Sequence, residues 1–220
     1  IPSLIIELKR GSFSGFGEAT ANPYYNTTVK QFQKELESKR DIIEIECNQK
    51  PKDFWVYLVP HFKGNLFLLC ALDEAYTDLF SKIKGQPLYK FWGFNLQKLP
   101  QSNYTIGIDT VENMVAKMKE TPWPIYKIKL GTKNDIGIVN ELRKHSNAIF
   151  RIDANCGWAP DETLKNAILL KKLGVEFIEQ PLPADDWKGS KKVFKNSALP
   201  IIADESCIVE ADVEKCYQHF

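Results

Sequence analysis

The sequence predicts an α/β protein: a parallel sheet in its second half, preceded by an α+β segment. Three observations carry this. From residue 102 onward, short apolar strands alternate with amphipathic helices at roughly 25-residue spacing. Before residue 100 the pattern is two strands followed by runs of helix, with no alternation. No strand of the second half is followed by a glycine-rich phosphate turn, which weakens a nucleotide-binding reading. Five consecutive βα units imply right-handed crossovers. A doubly wound sheet and a (β/α)-barrel both satisfy that.

In order, "SLIIEL" and "SGFGEAT" read as strands joined by the turn-like "KRGSF". "NTTVKQFQKELESKR" reads as a helix with Thr27 or Asn26 as its cap. "KPKDFWVYLVPHF" and "NLFLLCALDEAYTDLFSKIKG" read as helices, the second long and closed by Gly85. "QPLYKFWGFNLQKLPQS", with its Pro and Gly punctuation, reads as a connection. The five units then follow as "YTIGID" with "VENMVAKMKE", "YKIKLG" with "DIGIVNELRKH", and "IFRIDAN" with "PDETLKNAILLKKLG". "EFIEQP" with "WKGSKKVFKNS" and "PIIADES" with "EADVEKCYQHF" complete them. This divides the chain into residues 1–100 and 101–220. A complete barrel needs eight units in about 250 residues, so the sequence reads as a fragment, or the ordered part, of a longer chain.

Composition excludes several classes. With 44% hydrophobic and 26% charged residues the chain has the makings of a globular core. Net charge +1 gives no electrostatic argument for nucleic acid or a membrane surface. The longest apolar run, "NLFLLCAL", is too short to span a bilayer. Cys47, Cys70, Cys156, Cys207 and Cys216 are odd in number, scattered and never in a C-x-x-C pair. They read as free thiols in a reducing compartment, hence a cytoplasmic protein, and not as disulfides or a zinc site. Trp92, Trp158, Trp187 and Tyr89 read as core or interface aromatics.

The chemistry lies at the strand ends. In "PIYKIKLGTKND", period-2 alternation puts Tyr126, Ile128 and Leu130 on one face and Lys127 and Lys129 on the other. Two ammonium groups so placed make each other easier to deprotonate. The ordinary reading is a solvated lysine face on an edge strand. Yet the polar residues nearest the C-terminal ends of this and the next three strands are Lys129, Asp153, Glu179 and Asp204, spaced 24, 26 and 25 residues apart. In a parallel barrel the active site sits at those ends, and neighbouring strands are about 4.8 Å apart. Singly, Asp204 before "ES" reads as a helix cap and Glu179 before Gln-Pro as a strand terminus. In phase, the three carboxylates converge within reach of one ion, and without a cation would raise one another's pKa values. An all-oxygen set favours Mg²⁺, with Mn²⁺ as the alternative.

"KIKLG", "DANCGW", "EQPLP" and "ADES" together resemble the enolase superfamily in its muconate-lactonizing subgroup. "GFGEATANPYY" and "TIGID" are most similar to its dipeptide epimerases, especially the L-Ala-D/L-Glu epimerases. The resemblance implies an α+β capping domain over residues 1–100 and the first five units of a modified, TIM-like (β/α)7β barrel over 101–220, incomplete in this chain. It implies that Asp153, Glu179 and Asp204 bind Mg²⁺, that Lys129 is a catalytic acid/base and that Lys127 helps bind the substrate carboxylate. Thr105 resembles a substrate-contacting threonine. Asn155 matches a position near metal and substrate, or is a turn residue in "NCG". A specificity loop would precede Ile1; a second lysine and the aspartates that receive the dipeptide ammonium would follow Phe220.

The implied reaction is that of an isomerase: removal and return of the proton α to a carboxylate through an enediolate whose charge a divalent cation offsets. A lysine beside a second cationic lysine, in a water-poor barrel mouth, would have its pKa lowered and serve as base. The partner is then a small carboxylate substrate, with homo-oligomerisation left open. Alternatives are a muconate cycloisomerase or o-succinylbenzoate synthase of the same superfamily, and a truncated non-catalytic homologue. A Schiff-base aldolase is disfavoured by the phased carboxylates. Cys156 and Cys207 lack a sequence-adjacent His partner and read as packing residues; His61, His145 and His219 fall outside the strand-end pattern.

Overall fold

The computed structural model describes residues 1–45 and 50–220; Cys47 lies outside them. The chain divides into two compact units, Ile1–Leu99 and Pro100–Phe220.

In the first unit, β1 (Ser3–Arg10) and β2 (Phe13–Thr20) form an antiparallel hairpin with Arg10 opposite Phe13. Its two-residue turn begins at Gly11, whose φ of 57° is the left-handed conformation such turns require. Helix α1 (Val29–Ser38) starts at Thr28, later than the cap expected at residue 26 or 27. The reason is a reciprocal capping box: Gln31 N–H donates to Thr28 Oγ1 at 3.2 Å and Thr28 N–H to Gln31 Oε1 at 2.8 Å. Thr27 instead accepts from Asn22 N–H, and Asn26 is a left-handed residue ending a 3₁₀ turn. A short helix that the sequence did not announce follows, α2 (Arg40–Ile45). Helix α3 (Pro51–Phe62) buries Phe54, Leu58 and Phe62 at helical spacing, with Pro60 confined to its last turn.

Helix α4 (Leu66–Ile83) is the unit's axis. Asn65 caps it by accepting from Leu68 N–H, and Gly85 lies just beyond it at φ 62°. The hairpin packs against it through Gly15 and Gly17, where any Cβ would overlap the carbonyl oxygens of Ala75 and Ala71. Strand and helix backbones can approach this closely only with glycine on one side and alanine on the other. The stretch expected as a plain connection contains one helical turn, α5 (Leu88–Phe91), and a 3₁₀ turn at Leu96–Lys98. Trp92 is exposed within this unit.

The second unit contains β3 (Tyr104–Ile106), α6 (Val111–Glu120), β4 (Ile125–Lys129), α7 (Asp135–Arg143) and β5 (Ile149–Asp153). Then come α8 (Pro160–Lys172), β6 (Val175–Glu179), α9 (Trp187–Asn196), β7 (Ile201–Ile202) and α10 (Val213–Cys216). The five strands are parallel and paired in sequence order, β3-β4-β5-β6-β7. A doubly wound sheet reverses order at a switch point; this one does not, which is the succession of a (β/α)-barrel. Ile106, Ile128, Ile152 and Ile178 form one fully buried row across four strands, and Trp158 joins that core. Opposite Arg151 the register slips, and β6 gains a bulge at Glu176–Phe177. The described cysteines, Cys70, Cys156, Cys207 and Cys216, are free. Among the described residues no helix is long and apolar enough to cross a membrane.

Candidate active site

Strand β4 sets the geometry. Tyr126, Ile128 and Leu130 are buried on one face, and the Tyr126 hydroxyl donates to the Met118 and Thr121 carbonyls. That fixes the strand's rotation and commits Lys127 and Lys129 to the opposite face. Parallel register then aligns neighbours laterally. Lys129 stands opposite Asp153, and Asp153 opposite Glu179; one step back, Thr105 stands opposite Lys127 and Lys127 opposite Arg151. Two polar rows result, as the sequence spacing suggested.

The side chains converge. One oxygen each from Asp153, Glu179 and Asp204 lies within 4.8 Å of the others. Lys127 Nζ is 2.7 Å from Glu179 Oε1 and 3.0 Å from Asp153 Oδ2, while Lys129 Nζ is 3.4 Å from the same Oδ2. Asp153 is 0% exposed, and its buried Oδ2 is met only by these two ammonium groups among the described residues. Lys129 donates to Asn155 Oδ1 at 3.3 Å, and Asn155 N–H donates to Asp153 Oδ1 at 3.0 Å. Asn155 sits at φ 45°, a turn conformation that its residue type tolerates, and its side chain and N–H link Lys129 to Asp153. Thr105 is exposed beside Lys127 in the register. Asp204 lies in a turn and caps no helix.

The electrostatics depart from the expectation in one respect. Burial pulls the Lys127 ammonium toward deprotonation, but its contacts with Glu179 and Asp153 outweigh burial and hold it above the ordinary lysine value. The charges that govern it are those of the two carboxylates at 2.7 and 3.0 Å, not that of the neighbouring lysine. For Glu179, burial raises the carboxyl, and the charges of Asp153 and Asp204 add to it against the contact with Lys127. Three converging carboxylates, all oxygen donors and one of them raised by its neighbours, fit a hard divalent cation. Burial and the nearby Glu205 carboxylate push the Cys156 thiol up to about 11, which disfavours the thiolate.

Two side chains at the site escaped sequence reasoning. Arg151 lies one layer below Asp153, bonded to Glu176 Oε2 at 2.5 Å and to Asn103 Oδ1 at 2.6 Å. Its position two before Asp153 was a signal, by the same alternation that pairs the lysines. Gln180 is buried at 0% exposure, with φ 33° and all of its amide engaged. Nothing in the string "EQP" announces that.

Comparison with known proteins gives the same picture. Residues 109–219 match the family described as enolase C-terminal domain-like. The L-Ala-D/L-amino acid epimerase of Flavobacterium johnsoniae is 59% identical over 219 residues, covering all of this chain and 65% of that protein. The chain thus spans less than two thirds of that relative's length. A substrate-liganded L-Ala-D/L-Glu epimerase from Bacillus subtilis superposes with a TM-score of 0.86 at 26% identity, over 98% of this chain and 64% of the other. A muconate lactonizing enzyme from Klebsiella pneumoniae gives 0.87 at 22%, over 99% and 65%, a likeness of fold alone. With half its length matched to that pattern, the chain belongs to the enolase C-terminal domain-like family.

Proposed function

We propose that the protein is a Mg²⁺-dependent dipeptide epimerase of the L-Ala-D/L-Glu type, interconverting epimers by removing and returning the proton α to a carboxylate. The observation that carries this is the lateral row Lys129–Asp153–Glu179, with Asp204 completing a carboxylate triad and Lys127 beneath. Similarity to curated and solved epimerases supports the choice among superfamily reactions. In this reading the Ile1–Leu99 unit is the capping domain and Pro100–Phe220 the first five units of the barrel.

Asp153, Glu179 and Asp204 would hold the cation, which when bound offsets the negative charge that develops on the substrate carboxylate. The two lysines divide the remaining work by environment. Lys127, side chain 20% exposed and clamped by two carboxylates, stays cationic and attracts the substrate carboxylate. Lys129, 39% exposed and held only by the longer contacts to Asp153 and Asn155, presents its Nζ to the α-proton. Asn155 Oδ1 accepts from Lys129 Nζ and so orients it, as the neutral amine when it takes the proton and as the ammonium when it returns one, while the Asn155 N–H fixes Asp153. Thr105, beside Lys127, is placed for a contact to substrate. Return of the proton to the opposite face requires a second acid.

The test is chiral chromatography of L-Ala-L-Glu and L-Ala-D-Glu incubated separately with the full-length protein. Both should reach one common mixture with Mg²⁺ present and neither should change after chelation. Failure to interconvert either dipeptide, or other L-Ala dipeptides, would reject the assignment.

A further inference from the structure

The three carboxylates are not positioned alike. Asp153 and Glu179 belong to paired strands and stand opposite each other in the ladder. Asp204 does not: β7 pairs only through Ile201 and Ile202, and Asp204 lies two residues beyond, in a turn. Something other than the sheet must hold it against Glu179.

That something is the side chain of Gln180, the residue after Glu179. Its Oε1 accepts from Asp204 N–H at 3.0 Å and from Ser206 N–H at 3.1 Å. Its Nε2 donates to Leu182 O and Ser206 Oγ, both at 2.9 Å, and Ser206 Oγ donates on to Ala184 O at 2.9 Å. Its main chain completes the junction: Gln180 N–H donates to Ile202 O and Gln180 O accepts from Cys156 N–H, each at 2.8 Å. One buried residue therefore joins the loops after β5, β6 and β7, each of which adjoins one carboxylate. It does so at φ 33°, a conformation unfavourable for a non-glycine residue. Strain of that kind persists only when surrounding contacts impose it.

We propose that Gln180 is a positioning residue that sets the separation of the Asp204 carboxylate from those of Glu179 and Asp153, and so tunes the site to a small divalent cation. This rests on reading the three carboxylates as cation ligands. Mg²⁺ demands oxygens at about 2.0–2.1 Å in near-octahedral array, whereas Ca²⁺ accepts about 2.3–2.6 Å in flexible geometry. A tether that fixes one ligand's backbone should matter more to the demanding ion. A purely structural role would weaken both ions together.

The experiment is calorimetric titration of the full-length protein and of Gln180→Leu with Mg²⁺ and with Ca²⁺. Gln180→Leu should weaken Mg²⁺ by about 10-fold or more, the usual effect of losing a partner behind a ligand, and Ca²⁺ markedly less. Should Gln180→Leu fail to fold, Ser206→Ala, which removes one of the two Nε2 partners, carries the test and should move the Mg²⁺-to-Ca²⁺ affinity ratio the same way by a smaller factor. An unchanged ratio in Gln180→Leu or its substitute overturns the proposal while leaving the metal site standing. Absence of binding of either ion to the unsubstituted protein overturns the metal reading itself, and this inference with it.

Discussion

Replacing Asp153 by Asn separates the charge at the centre of the site from its shape. The amide keeps an oxygen for the Asn155 N–H at the Oδ1 position. At the Oδ2 position it puts an NH₂ where Lys127 and Lys129 ammoniums stand at 3.0 and 3.4 Å. Removing one partner of a fully buried pair costs about 3–5 kcal/mol. Here Lys127 retains Glu179 and Lys129 retains Asn155, and side-chain exposures of 20% and 39% admit solvent screening. The cost to the metal-free protein should therefore be about 1–2 kcal/mol. The larger change comes with Mg²⁺. At 100 times its dissociation constant, a ligand stabilises the native state by about 2.7 kcal/mol, and the variant should gain almost none of this. Urea unfolding of the full-length protein and of Asp153→Asn, each with chelator and then with Mg²⁺, measures both quantities. An equal Mg²⁺-dependent gain in the two proteins would refute the assignment of Asp153 as ligand.

Other consequences reach beyond that residue. Lys127→Met should raise KM for a dipeptide by about 10- to 100-fold, the loss of one charge-assisted contact, and steady-state kinetics showing an unchanged KM would remove it from substrate binding. Gly17→Ala should destabilise the protein by about 3 kcal/mol or more, because the new methyl meets the backbone of α4 and not a movable side chain; denaturant unfolding at or near the parent midpoint would deny that contact. Glu35 accepts from Lys39 and Asn65; burial raises its carboxyl, but those contacts outweigh it and hold it below the ordinary glutamate value. Its contribution to stability is present above the unfolded value of about 4.3 and lost as pH falls through the lower folded value. Glu35→Gln should accordingly flatten the acid limb of the stability–pH curve, and parallel limbs would contradict this.

What the sequence disclosed follows from what repeats. Alternation set the faces of β4, and the near-constant 24–26 residue step marked Lys129, Asp153 and Glu179, which end successive strands, and Asp204, which lies two residues beyond the last. Where a residue's role depends on chain far away, the sequence was silent. Gln180 bonds Asp204 and Ser206, residues 24 and 26 away along the chain, through a side chain whose type carries no such signal. The same bonds explain why "PIIADES" pairs through only two residues: Asp204 N–H is taken by an amide side chain instead of the ladder. The bulge at Glu176–Phe177, which brings Glu176 to Arg151, likewise has no local marker such as glycine. The turn of helix at Leu88–Phe91 has no sequence signal because four helical residues are too few to show a period. Lysine chemistry was half legible: the pair was visible, but the direction of the Lys127 shift depends on carboxylates from two other strands.

The central claim is that Lys129 moves a proton on one face of a metal-held substrate. The most direct measurement is ¹H NMR of α-proton loss from each epimer of L-Ala-Glu in deuterated buffer, with the full-length protein carrying Lys129→Ala and Mg²⁺ present. The account predicts that exchange from one epimer falls by about 10²-fold or more, as for loss of a general base, while exchange from the other persists. Equal exchange from both epimers at the unsubstituted rate, or equal loss from both, would contradict it.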